Sequence, residues 1–501
     1  MNLNGSIMKN QEEELYKLGS DCLDQRNYVD AEIYFKKILE LDENHVNALN
    51  SLGLVFYYTN KYSEAEKNFK KIIDLDPNYK YARYNLGNVY FVQKNYTDAE
   101  IQYKKAIEID DKYLYPHYYL GRTYTEQKKY EDAEFYYKKV LDLDENHIDT
   151  YYYLARTYQE QKKHDDAEKY FIKSIQLDPN KKYTRYNLGN VYFVQKNYSE
   201  AEIQYKKALE IDENYIYAIH TLGRTYLELK KYDDAEYQFN QVIKLDKDYI
   251  DAWYYLGILY FKKQDYAKAE NWFNKIIQKQ PDYKAVSYYI GRVYFFQNKF
   301  TDAEKPLIKA VALNENDISS NFYLGIVFIS QVKDPSTSVS SVFDEANTLN
   351  CKKAIQYLDK VLEINPKHKE ALCFLGFACI ILFYYDKSQN LADKAMSCAE
   401  KALEIDPNFS LAWGLKGTTN LALGKTLEAI ECVIRSKDNI AIEKFLKAAY
   451  LSNYSRIQPQ WNSYRDGKTQ RESLISSISR DATKGFAKGF AKGLLKGFLG
   501  L

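Results

Sequence analysis

Arginine and asparagine recur at one fixed station along this chain, and the regularity gives them chemical meaning. Asn88, Arg122, Arg156, Asn190, Arg224 and Arg292 each follow directly on a glycine or alanine, at separations that are multiples of 34 residues, with Ile258 at the intervening station. One helical turn before that station stand Tyr118, Tyr152, His220, Tyr254 and Tyr288, and Asn85 and Asn187 lie three residues ahead of their asparagine partners. A carboxamide pairs with peptide N–H and C=O groups, while a guanidinium grips a carboxylate through two parallel bonds. A surface of this composition suits an extended segment with acidic or aromatic side chains. Plain surface pairing is the competing reading, because Glu126, Glu160 and Glu228 follow Arg122, Arg156 and Arg224 at the four-residue spacing that lets opposite charges meet. Arg292 has Phe296 there and is the least compensated of the set.

Other chemistries find no support. The histidines (His45, His117, His147, His164, His220, His368) are dispersed, no phosphate-binding glycine loop occurs, and the acids are spread among lysines. His220, alone on the proposed binding face, reads more readily as a packed ring than as a ligand. The six cysteines have no paired spacing, which argues against both a zinc site and a disulfide framework and for a reducing cytosol. The expectation is a non-catalytic protein with no cofactor and no metal.

The elements that position these stations come from the same repeat. Glycine or alanine stands at 19, 53, 87, 121, 155, 189, 223, 257, 291 and 325, and each of the first nine has an alanine twelve residues on. Within 80–113, apolar residues at Leu86, Val89, Tyr90 and Val92, and then at Ala99, Tyr103, Ala106 and Ile107, recur at spacings of three and four, which predicts two helices. Thr97 with Glu100, like Ser63 with Glu66 and Thr301 with Glu304, reads as a capping box opening the second helix. Pro77, Pro179, Pro281, Pro366 and Pro407 close second helices. Gly87 and Ala99 are expected where the two helices of a hairpin approach most closely. Tyrosines late in the first helix, such as Tyr90 and Tyr124, read as core filling.

This pattern resembles the tetratricopeptide repeat family, whose signature Leu86, Gly87, Tyr90, Ala99 and Tyr103 fit, as do Trp413, Gly417 and Ala429 with Pro407 before them. The resemblance implies an all-α, right-handed α-solenoid of about twelve helix-turn-helix units: 12–45, 46–79, 80–113, 114–147, 148–181, 182–215, 216–249, 250–283, 284–317, 318–368, 369–409 and 410–440. A capping helix is expected at 440–451, giving a solenoid over 12–451. It also implies a concave inner wall, lined by the first helices, that holds one or more protein or peptide partners. The asparagines resemble in part the ladder of O-linked N-acetylglucosamine transferases. The chaperone-tail clamp of other family members is broken by Tyr84, Tyr119 and Tyr153. A longer period of 102 residues lies inside the short one, since residues 84–96 reappear unchanged at 186–198.

The formal charge of +1 gives no field pointing to nucleic acid. The start of the chain has no apolar signal core, and no stretch reaches the apolar length of a membrane span. Residues 331–350 read as a loop inserted into the tenth unit, and a shorter insertion falls near Tyr385 to Asn390. A polar linker is expected at 452–483. In 484–501, Lys484, Lys488, Lys492 and Lys496 alternate with Phe486, Phe490, Leu494 and Phe498, so a helix would carry a basic band beside an apolar one. Contact with an anionic membrane surface, self-association and disorder are the three readings of that segment. The overall expectation is a cytoplasmic scaffold or adaptor, with membrane association through the tail; the alternatives are a structural subunit of a trafficking or ciliary assembly, or a membrane-active effector.

Overall fold

A computed structural model describes residues 3–332 and 341–435. The chain divides into two compact units, Met1–Leu245 and Asp246–Leu501. Each is a stack of helical hairpins in which every helix packs on its sequence neighbours, and no strand occurs among the described residues. The first helix begins at Leu3, ahead of the expected start at residue 12. The expected capping helix, linker and tail lie outside the described residues. No described helix is long and apolar enough to cross a membrane.

A regular hairpin pairs a first helix such as Lys80–Val92 or Leu114–Glu126 with a second such as Tyr96–Ile109 or Tyr130–Leu143. Its turn is left-handed without glycine: Arg26, Asn60, Lys94, Lys128, Lys162, Lys196, Lys230, Gln264 and Asn298 all have φ between 59° and 62°. Around Lys94, the Asn95 N–H bonds the Tyr90 carbonyl at 2.9 Å and the Lys94 N–H bonds that of Phe91 at 3.0 Å, so the last carbonyls of the first helix are satisfied.

The glycine station is a close approach of the two helices, and its contact is a ring of the second. Ala99 is fully buried, but it is the Tyr103 ring that lies against Gly87: a Cβ there would sit 2.5 Å from the ring. Phe69, Tyr137, Tyr205 and Phe273 repeat the arrangement on Gly53, Gly121, Gly189 and Gly257. Each ring is completely buried, which stabilises its hairpin by about 1.5–3 kcal/mol.

The capping-box expectation fails for a related reason. The second helix at Tyr96 is capped by Asn95, whose side chain accepts from the Asp98 N–H, and Lys61 and Lys299 occupy the same place before Ser63 and Thr301 without a side-chain cap bond. The glutamate is engaged by the next hairpin instead. Glu100 accepts a 2.9 Å bond from the Tyr124 hydroxyl and pairs with Lys104 and Lys129. Glu66 takes the Tyr90 hydroxyl and Lys70, and Glu202 takes Lys206 and Lys231. Burial raises the Glu100 pKa, but the bonds from Lys104 and Tyr124 outweigh it and hold the carboxyl below its ordinary value.

The two insertions are also corrected. Residues 341–350 are not loop: they form the first turns of the helix Ser341–Ile364, and 333–340 lie outside the described residues. Near Tyr385 the extra residues lengthen the hairpin Lys369–Asp386 and Gln389–Ile405, joined through Lys387 at φ 55°. Residues 371–382 are buried throughout, because 369–386 is covered by neighbouring helices on both sides. Cys351, Cys373, Cys379 and Cys398 lie in this core as free thiols, and burial pushes Cys379 up to about 12.

Candidate functional site

In the first unit, four consecutive hairpins frame an open groove of about 1030 Å³. Among the expected residues it gathers Tyr118, Arg122 and Tyr152, with Tyr84, Tyr119 and Tyr153 completing an aromatic wall. The rings of Tyr84 and Tyr119 are 5.7 Å apart and those of Tyr118 and Tyr153 are 5.8 Å apart. Burial raises the hydroxyl pKa of Tyr84 and Tyr118, so both stay neutral at physiological pH.

Arg122 is the centre of the site. Its guanidinium carbon lies 4.8 Å from the Tyr153 ring centre, 4.9 Å from Phe91 and 5.3 Å from Tyr119, distances at which a cation is attracted by the ring face. The expected pair with Glu126 does not form; among the described residues no carboxylate reaches this guanidinium. The rings come from three successive first helices, so the cage exists only once the hairpins are stacked. On the rim, Lys182 pairs with Asp212 and stands over Tyr183 and Tyr215, while Lys181 pairs with Asp149.

The other expected residues go elsewhere. Asn88 and Asn190 accept 2.8 Å bonds from the hydroxyls of Tyr103 and Tyr205, holding those rings over their glycines. Asn85 is buried and donates to Asn50 at 3.0 Å; Asn187 donates to the Tyr183 carbonyl at 2.8 Å. These amides are therefore engaged within the fold, Asn187 also donating to the hydroxyl of the groove residue Tyr152 at 3.2 Å. His220 is buried against Phe239, not presented on a surface, and Tyr118 is largely buried as well. Arg156 is exposed and sets its charge beside the Tyr152 hydroxyl; Arg224 lies 4.9 Å from Phe193.

Tyr254, Tyr288 and Arg292 belong to the second unit. There Tyr254 packs on Tyr283 and Tyr289. Arg292 repeats the cage, 4.6 Å from Phe261, 4.9 Å from Tyr323 and 5.2 Å from Tyr288, and its Nε is buried without a hydrogen-bond partner. The rim residues Lys181, Lys182, Asp149 and Asp212 were missed in the sequence. For Lys182 and Asp212 the signal was the 102-residue step, which relates them to the ion pair Lys80 with Asp110. No group of side chains that could hold a metal ion occurs among the described residues.

Tetratricopeptide repeat models match residues 16–78, 50–113, 115–147, 147–214, 182–248, 220–284 and 398–431. The chain belongs to the tetratricopeptide repeat family. No curated protein matches it. Solved structures similar to this tetratricopeptide repeat protein include yeast Tom70, at 14% identity over 90% of this chain and 99% of that one with a TM-score of 0.37. Another is the C-terminal part of a TPR repeat-containing protein from Cytophaga hutchinsonii, at 19% identity, 48% and 98% coverage and a TM-score of 0.41. The P58(IPK) TPR domain aligns at 16% identity over 83% of this chain and 99% of its own, with a TM-score of 0.33.

Proposed function

We propose that this tetratricopeptide repeat protein is a non-catalytic scaffold that holds an extended, acidic segment of a partner protein in the groove of its first unit. The observation that carries this reading is Arg122, a guanidinium caged by rings and unmatched by any carboxylate, set in the wall of an open groove. A partner carboxylate supplies the missing charge, and the flat tyrosine faces accept its aliphatic or aromatic neighbours. The ion-paired Lys181 and Lys182 give the rim a polar edge suited to a peptide backbone.

Calorimetric titration of the full chain with extended peptides tests it. Peptides carrying Asp or Glu are expected to bind and their Asn or Gln counterparts to bind weakly. Arg122→Ala should weaken the acidic peptides at least about tenfold, the effect of removing a charge-assisted hydrogen bond worth about 1.5–3 kcal/mol. Equal binding of acidic and amide peptides, with or without Arg122, would overturn the reading.

A further inference from the structure

The 102-residue period places three versions of one site in the chain. Phe91, Tyr118, Tyr119 and Arg122 correspond to Phe193, His220, Thr221 and Arg224, and then to Phe295, Phe322, Tyr323 and Ile326. The third version has lost its cation, and Ile326 is buried in its place. Around it the second unit opens a groove of about 400 Å³ whose wall is almost entirely aromatic and aliphatic, with Phe374, Phe409 and Leu411 added from the following hairpins. Besides the Tyr323 hydroxyl, two polar side chains interrupt it. Glu370 is the one carboxylate of the lining and is partly exposed; the Ser410 hydroxyl is buried without a hydrogen-bond partner.

We propose that this apolar groove receives residues 484–501 of the same chain. Phe486, Phe490, Leu494 and Phe498 are spaced by four, the anchor spacing of a helix laid in a hydrophobic groove, and the lysines between them supply a cation for Glu370. The segment contains no acid that would oppose that carboxylate. Reach is ample: the described residues end at Arg435, in the helix paired with Ser410–Ala422, whose first residues line the groove. The stretch from Arg435 to Lys484 can extend to about 160 Å at 3.3 Å per residue, several times the length of a hairpin. The docking is separate from peptide binding at Arg122 and stands or falls independently of it.

Photo-crosslinking in the full chain provides the test. A benzoyl-phenylalanine replaces Phe409, and equal amounts of light and nitrogen-15-labelled chain are mixed before irradiation and mass spectrometry. Adducts to peptides from 484–501, formed within single chains, are expected. They should fall about tenfold or more when Phe486, Phe490 and Phe498 are changed together to Ser, the loss typical of removing aromatic anchors. That variant leaves every lining residue of the groove unchanged; Ile326→Arg, checked for folding by its thermal transition, should act in the same direction from the other side. Absence of adducts to 484–501, adducts only between chains, or adducts unaffected by the Ser variant overturns the proposal. So does the full chain sedimenting with phosphatidylserine vesicles while showing no adduct, which assigns the segment to a membrane surface.

Discussion

The groove around Arg122 and the groove around Ile326 occupy the same station of the long repeat, yet one is charged and tyrosine-lined and the other is apolar. What they share is packing: Gly121 and Gly325 each lie against a large side chain of the second helix, and Phe91 and Phe295 pack edge-on against Tyr119 and Tyr323. What differs is the residue one place after that glycine. Arg gives way to Ile, and where Lys80 and Lys182 face Asp110 and Asp212, Lys284 has Asn314 at the matching place. The chemistry of the two grooves thus differs at the position after the glycine, while the glycine keeps a large second-helix side chain against it.

Substituting the shared glycines separates the two grooves most strongly. Gly121→Val drives a side chain into the Tyr137 ring, which cannot fold away, and should cost about 2–3 kcal/mol in urea unfolding; Gly325→Val meets Leu358, which can change rotamer, and should cost about 1–2 kcal/mol. Equal losses would mean that ring and aliphatic contacts are interchangeable. Exchanging the central residue comes next. Arg122→Ile should abolish discrimination between acidic and amide peptides while changing the unfolding free energy by less than about 1 kcal/mol, since the cage already consists of rings. Destabilisation well beyond that would make the cation structural.

Acid should weaken the glutamate clasps of the first unit. Glu66, Glu100 and Glu202 have pKa values below the ordinary 4.5 when folded, so their contribution is complete above that pH and is lost as pH falls through the lowered values. Tyr124→Phe removes one of the bonds holding Glu100 low and should move the acid midpoint upward, followed by circular dichroism. The smallest effect is expected at the turns. Lys128→Gly relieves a left-handed lysine in the turn of the hairpin that carries Arg122 and should stabilise by up to about 1 kcal/mol in thermal melts, against the flexibility glycine adds to the unfolded chain.

The hairpins and their glycine stations were legible because both follow from short-range periodicity. The Arg122 cage was not, since Phe91 and Tyr153 each lie 31 residues away in sequence and meet the guanidinium only across stacked hairpins. The asparagines misled for a traceable reason: Asn88 and Asn190 are taken up by the hydroxyls of the second-helix rings Tyr103 and Tyr205, whereas the Tyr137 hydroxyl meets Thr125 and leaves Arg122 at its station to the cage. Lysine at φ near 60° gave no glycine signal for the turn, and the polar run before Asn350 concealed a helix start.

The bond from Tyr124 to Glu100 joins a hairpin only to the one before it, as do those from Tyr90 to Glu66 and Tyr192 to Glu168. Under tension each clasp carries its load alone, with no distant partner to share it. A chain stretched between two anchors would therefore lengthen in hairpin-sized steps, retaining intact hairpins beside the one that has given way.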